Sequence, residues 1–504
     1  MSDTALAESG TRLQNFLDRA GLRGFPWKTA IILYTISYGW FWSVRNSLWA
    51  DDWTSFVAPS LESADWNSFG FAPWLDLNAN LFNIVGPSWM RLAIFLFFFA
   101  SGLSVYAISG SFSRLTQFER ISIVLLFLLL PFNTARVSLM TFHYSQAYFY
   151  FFFGWHLLAI SKRTSMFLLA CCLFFLSFQM HSLILFFVLP LVYLLWQSRS
   201  NKELAFKLRL TLLVLLPLLY TFGRTVLWSS SNSYHQISFT GIFSLGKLGL
   251  TTAIMVSLPL LIFKTRAREL QRLLPIGFFV SLVGISAYVL ADLVGELRNV
   301  PAYLLFNTFG RSDWYSRHLT LQPLGVSLIF VGFLGVPYLR REKLRDYFFG
   351  VLLCVFVIFN VGFGLEYVVD YAKQQAVVEK LESNGEVAGI DEYLFADQTT
   401  LLNARGRLYR SRDWWGLVWS AYGLSAAERA EILSSCDGGE NGRFVEIDGP
   451  ETHWQALKNW VSDGEMGFEV TVDDTPGACK PELMQQEIAS GAIPILFYFT
   501  GVKN

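Results

Sequence analysis

Residues 27–56 read WKTAIILYTISYGWFWSVRNSLWADDWTSF. Past Lys28, the run stays apolar and aromatic as far as Arg45, close to the length a helix needs to cross hydrocarbon. The polar segment 1–26, containing TRLQNFLDRAGLRGFP, precedes it, and no small-residue cleavage site follows a short apolar core. The run therefore reads as a retained first span rather than a cleaved signal peptide. Within the lead, residues 11–23 fit either a surface helix carrying Leu13, Phe16, Leu17 and Leu22 or a disordered basic arm.

The rest of the chain repeats this pattern. Of 504 residues, 53% are apolar and only 15% charged, with 47 Phe and 17 Trp. Ordinary soluble domains carry about a quarter charged residues, and a soluble core cannot hide this much apolar surface. Net charge is zero overall, yet residues 1–367 hold 28 Lys+Arg against 17 Asp+Glu, and residues 368–504 hold 11 against 22. That asymmetry separates a membrane body from an appended acidic domain.

Spans are expected near 27–48, 82–109, 119–132, 144–160, 166–180, 183–197, 210–228, 245–263, 275–295, 319–338 and 347–367, about eleven in all. The third, fifth and sixth are short for a bilayer of about 30 Å. Pro131, Pro190, Pro217 and Pro259 lie in or at the ends of spans and are expected to kink them. SFSRLTQFER, SKRTS, QSRSNKELAFKLR, KTRARELQR and LRREKLRD follow alternate spans and are basic. The intervening loops carry few cations. By the positive-inside rule the N-terminus is cytoplasmic, and the odd number of spans puts the C-terminus outside. The long loops, 49–81 and 296–318, then share the outer side with the C-terminal domain.

The expected organisation is a cytoplasmic segment 1–26, a helical polytopic membrane domain 27–367, and an extracytoplasmic domain 368–504. In the last, EKLESNGEVAGIDEYLFADQTTLLN reads as polar and helix-prone, whereas GRFVEI, GFEVTV and PILFYFT read as strands, which gives a small α+β domain. Cys171, Cys172 and Cys354 lie in spans. Cys436 and Cys479 lie in the outer domain and would pair in an oxidising compartment, or stand as free thiols. No repeat, zinc spacing, phosphate loop or dinucleotide fingerprint is present. The basic clusters are topology signals, so no nucleic-acid partner is implied.

Candidate chemistry begins at Asp51 and Asp52, just past the first span. Adjacent carboxylates repel, and a divalent cation such as magnesium or manganese, a nearby arginine or a raised pKa would offset that cost. Either carboxylate would serve as a general base. A plain polar loop start with Asp52 as a helix cap competes with these readings. Trp53 opens an aromatic loop in which FGFAPWLDLNANLF suits an interfacial helix.

The aspartate pair at the end of span one, the long first outer loop, the many spans and the appended outer domain together resemble the GT-C superfamily of membrane glycosyltransferases. Within it they are similar to the bacterial serotype-converting enzymes that glucosylate O-antigen. The resemblance implies a polyprenyl-phosphate sugar as donor and inverting transfer, in which an acceptor hydroxyl attacks the anomeric carbon, polyprenyl phosphate leaves, and Asp51 or Asp52 takes the proton. It also implies an inner-membrane location, a glycan acceptor, and a donor synthase and flippase as partners. Cations near the outer face would hold the leaving phosphate: Arg45, Arg91, Arg136, Arg224, and above all Arg311, Arg317 and His318 in GRSDWYSRH, where Trp314 and Tyr315 would line the cavity. Snorkelling to headgroups is the competing role for each arginine. His143, Tyr144 and His181 mark further outer span ends. Trp414 and Trp415 in RSRDWWG are candidates to stack an acceptor or to dock the domain. A polysaccharide polymerase or ligase and a flippase or transporter are the alternative classes. The absence of an internal repeat and of midplane charge disfavours the last.

Overall fold

The computed structural model describes residues 17–49, 52, 72–112, 114–131, 134–197, 204–226, 273–290, 319–334, 341–386, 390, 392–404, 407–423, 431–432 and 442–474, together with 245–246, 249–250 and 253. Span 245–263, most of both long loops, Cys436, Cys479 and PILFYFT fall largely or wholly outside these residues.

The described chain is mostly helical with one small sheet. In chain order the helices of the first part are α1 (Trp27–Tyr38), α2 (Ala72–Gly110), α3 (Gln117–Leu129), α4 (Phe142–Ile160), α5 (Thr164–Ser177), α6 (Ser182–Phe186), α7 (Val188–Gln197), α8 (Leu204–Val226), α9 (Leu273–Leu290), α10 (Gln322–Leu334) and α11 (Glu342–Asn384). Among the described residues, four stretches are long and apolar enough to cross a membrane: Ile84–Gly110, Phe206–Val226, Leu273–Leu290 and Glu342–Asn384. Helices occupy most of the other expected spans as well, but those helices are shorter.

The first expected span differs most. It is helical only to Tyr38, tightens into a 3-10 turn at Gly39–Trp42, and continues as turns to Asn46. The aromatic run GWFWS explains the change. Trp40 stacks flat on Tyr367 of α11 at 5.2 Å, and Phe41 is buried. Tertiary packing of these rings sets the backbone there.

α2 is two helices joined end to end. Gly86 has φ 73, and Pro87 follows it. Glycine takes the left-handed conformation without steric cost, and proline is preorganised for the first position of the next helix. FGFAPWLDLNANLF thus lies largely on a helix distinct from the apolar one that follows. α3 starts at a capping box, in which Thr116 Oγ1 accepts from the Glu119 N–H and Glu119 accepts from the Thr116 N–H. α9 and α10 pack closely through small residues: a Cβ at Gly325 would lie 2.6 Å from Ser281 N, and one at Gly277 2.8 Å from Gly325 O.

The C-terminal part contains β1 (Glu392–Asp397), α12 (Ser411–Tyr422), β2 (Glu431–Ile432), β3 (Gly442–Asp448), α13 (His453–Asp463) and β4 (Glu469–Asp473). The sheet order is β2-β1-β3-β4, with β1 parallel to both neighbours and β3 antiparallel to β4. GRFVEI and GFEVTV are strands, as expected. EYLFAD, read as part of a helix-prone stretch, is instead the central strand β1. Its residues from Tyr393 to Asp397 are all buried, and a strand buried on both faces shows a continuous apolar run without alternation.

One helix crosses the expected boundary at 367/368. α11 runs unbroken through it to Asn384, at 43 residues about 64 Å long, twice a hydrocarbon core. Its far end is built into the C-terminal domain, where Val369, Val377 and Leu381 are fully buried.

Candidate functional site

The chain leaves the 3-10 turn after α1 and is held by Arg91 of α2. The Arg91 guanidinium is 1% exposed and donates to four backbone carbonyls: Val44 and Arg45 at 2.7 Å, Ser47 at 2.6 Å and Val137 at 3.0 Å. It thereby ties residues 44–47 to the 3-10 segment Thr134–Val137. A rigid, five-donor fork can serve several acceptors at once, which lysine cannot.

Asp52 sits at the end of this staple, wholly buried. Its Oδ1 accepts from Ser138 Oγ at 2.7 Å and its Oδ2 from the Trp49 N–H at 3.1 Å. Its charge acts on Arg91. Arg91 is thus a cation close to the Asp52 carboxylate. Beside it, Arg136 is buried between the rings of Tyr38 at 4.2 Å and Phe98 at 3.9 Å. Both cations are buried and engaged by groups of the protein.

Arg45 differs. Its backbone is fixed by Arg91, while its side chain is exposed and lies 5.2 Å from the Trp42 ring. Tyr371, from the part of α11 beyond the apolar stretch, feels the charge of both Arg45 and Arg91. Asp52, Arg91, Arg45 and Tyr371 therefore form one locality at the junction of the first element, α2 and α11. Sequence reading missed Ser138, Trp49 and Tyr371. No local signal marks them, because their roles come from contacts between distant segments.

The other candidates are placed separately. His181 and Arg224 come together around Tyr220: the His181 ring is 6.2 Å from that of Tyr220, and Arg224 acts on its hydroxyl. His143 and Tyr144 open α4 and are half-buried. Trp414 is in the core of the C-terminal domain, stacked on Phe395 at 4.5 Å and against Tyr409 at 4.7 Å, so its faces serve packing and not acceptor stacking. Trp415 is half-buried. Asp51, Trp53, Arg311, Trp314, Tyr315, Arg317 and His318 lie outside the described residues.

Among the described residues, no group of three His, Cys, Asp or Glu is arranged to hold a metal. Magnesium keeps several waters when bound by one or two carboxylates. Asp52, without exposed surface and with each oxygen accepting a protein hydrogen, does not fit such an ion.

A second polar cluster joins α11 to the sheet. Lys373 Nζ is 2.8 Å from Asp397 Oδ2, both side chains wholly buried, and it also donates to Asn403. The other Asp397 oxygen accepts from Thr399 N at 2.9 Å and Thr399 Oγ1 at 2.8 Å. Asp370 accepts from the Ala404 N–H at 2.8 Å and from the Tyr409 hydroxyl. Burial pushes the Asp370 carboxyl up, against the opposing pull of Arg407 and Lys373. Arg407 in turn pairs with Asp413 at 2.9 Å. Each buried charge here has a partner, as burial demands; this cluster fixes the domain on the helix.

Comparison of the chain with protein-family models, with curated proteins and with solved structures gives no match.

Proposed function

We propose that this protein is a polytopic membrane glycosyltransferase of the GT-C type, with about eleven spans, its N-terminus cytoplasmic and its C-terminal domain outside. On this reading it moves a hexose such as glucose from a polyprenyl-phosphate donor to a cell-envelope glycan or lipid-linked acceptor at the outer face of a bacterial inner membrane. The observation that carries the reading is the anchoring of the end of the first element. Ser138 and the Trp49 N–H hold Asp52, and Arg91 ties down residues 44–47 before it, while the Arg45 side chain in that segment remains exposed. A carboxylate and a cation fixed next to a helix that leads into lipid suit a lipid-phosphate donor.

The roles within the pair then divide. Asp52 is a positioning residue, because its oxygens are used inside the protein. Asp51 is assigned as the base. The acceptor oxygen attacks the anomeric carbon, its proton passes to Asp51, and the bond from that carbon to the phosphate oxygen breaks. The electron pair leaves on polyprenyl phosphate, inverting the centre. Arg45, with Arg311, Arg317 and His318, offsets the charge that develops on the leaving phosphate. No metal is required by this scheme. A donor synthase and a donor flippase would supply the substrate.

The test is transfer by purified protein supplied with polyprenyl-phosphate glucose and an acceptor glycan. Asp51→Asn is expected to cost about 10²–10⁴-fold in turnover, the usual contribution of a general base, with unfolding temperature unchanged. Wild-type turnover in that variant would remove the assignment. Products carrying long glycan chains in place of one added sugar would favour the polymerase or ligase alternative.

A further inference from the structure

α13 offers an apolar surface that the C-terminal domain does not cover. Its sequence is HWQALKNWVSD. His453 and Ala456 face inward, and Ala456 clusters with Val369, Leu402 and Met466, with Val368, Ala372 and Leu457 packed around them. Trp454 is 64% exposed, Trp460 53% and Val461 81%. Trp454, Leu457 and Val461 follow helical spacing and form one stripe beside the inward face, with Lys458 at its margin. Gln455, Asn459, Ser462 and Asp463 make up the remaining polar arc.

The height of α13 follows from α11. Residues 347–365 carry no charge, between Asp346 and Glu366. At 1.5 Å per residue they span about 28 Å, the thickness of a hydrocarbon core. Glu366 therefore marks one boundary of the core, and its charge acts on His453 of α13. Val368 to Ala372, on which α13 packs, lie about 3–9 Å further along the axis, at the level of a headgroup layer about 5–8 Å thick.

The azimuth agrees with the height. Tyr347, Phe348, Val351, Val355 and Ile358 form the exposed apolar stripe of α11. At about 100° per residue, Val369 falls within the spread of that stripe and Ala372 just beside it. α13 thus overhangs the side of α11 that faces lipid, directly past the lipid-facing residues.

We propose that α13 is an interfacial anchor, lying in the headgroup layer on the Glu366 side with Trp454 and Val461 in the headgroup–acyl boundary. Tryptophan favours this layer, where an apolar ring and a polar N–H are both accommodated, and Lys458 reaches lipid phosphate from the margin of the stripe. The anchor fixes the orientation of the C-terminal domain above the membrane. This inference rests on the membrane reading of α11 alone and stands whether or not the chain transfers sugar.

Nitroxide accessibility tests it. The full chain, carrying a genetically encoded keto amino acid at position 461, 454 or 455 and labelled there, is placed in phosphatidylethanolamine–phosphatidylglycerol nanodiscs. Labels at 461 and 454 are expected to collide with oxygen several-fold more effectively than with a water-soluble nickel chelate, and the label at 455 to show the reverse. Nickel accessibility at 461 and 454 equal to that at 455 would put the stripe in water. Low accessibility to both reagents would show that protein, from this chain or another, covers it. Either result overturns the proposal. All three sites are exposed, so labelling does not disturb the fold.

Discussion

Arg91 commits its guanidinium to four carbonyls and to the charge of Asp52. Arg91→Ala strips those acceptors and leaves a buried carboxylate without its cation, which is expected to cost about 3–5 kcal/mol. Arg91→Lys keeps the charge but loses the fork, for about 1–3 kcal/mol of unmet hydrogen bonding. Thermal unfolding in detergent checks the order: wild type, then Lys, then Ala. His453 gives a prediction in pH. Its Nε2 lies 3.2 Å from the Leu402 carbonyl, so that nitrogen holds the proton of the neutral ring, and burial lowers its affinity for a second proton. The folded state therefore binds fewer protons than the unfolded one as pH falls. The contribution of His453 is complete above its unfolded pKa near 6.5 and is lost as pH drops below that value towards the depressed folded one. His453→Gln, which still offers the carbonyl a donor, is expected to flatten the loss of stability between pH 6.5 and 5 in calorimetric scans. An unchanged slope would place the titration elsewhere. The sequence marked Asp52 and Arg91 as worth attention because charges are scarce at span ends. It gave no indication that Arg91 serves four carbonyls or that Tyr371 lies beside Arg45, since chain separation hides such contacts.

At the scale of elements, α9 and α10 pack closely through their small-residue faces. Gly277, Ser281 and Gly284 meet Leu321, Gln322 and Gly325. In lipid, helices gain little from hiding apolar surface from each other, so close approach through small residues matters more. Gly325→Val would force the helices apart. It is expected to destabilise the pair by about 1–3 kcal/mol, as overpacking does, and to raise protease cleavage in the flanking loops at a given temperature. Gly350, with nothing near its missing Cβ, is the control, and Gly350→Ala is expected to be silent. Hydropathy located most helices to within a few residues because burial in lipid imposes a uniform composition on them. It failed at 39–46, where ring packing against α11 sets the backbone. It also failed at EYLFAD, where flanking polar residues obscured a short strand buried on both faces.

At the scale of the molecule, α11 is the member that connects everything else. It carries the apolar crossing, the Tyr371 hydroxyl beside Arg45, the buried Lys373–Asp397 pair and the seat of α13. Composition announced two regions of opposite charge but could not announce that one continuous helix joins them, because the amphipathic far end of α11 reads like the start of a soluble domain. The junction with the candidate site is made at Gly364. A Cβ there would lie 2.6 Å from Trp40 Nε1. Trp40 stacks on Tyr367 at 5.2 Å, and Tyr367 meets Trp49 edge-on at 5.1 Å. Trp49 is the residue whose N–H holds Asp52. Gly364→Val therefore pushes Trp40 off Tyr367 and loosens the backbone that positions Asp52, while the polar cluster at Lys373 lies more than two helical turns further on and is left intact. Under the proposed function, sugar transfer is expected to fall about tenfold or more, since a shift of about 1 Å in a positioned group costs up to 10²-fold. Protease resistance of the C-terminal domain is expected to stay at the wild-type level. Transfer at the wild-type rate in Gly364→Val would show that the stacking of Trp40 on Tyr367 has no part in holding the site. Loss of domain protection together with transfer would instead show that Gly364 supports the whole helix and not the site alone.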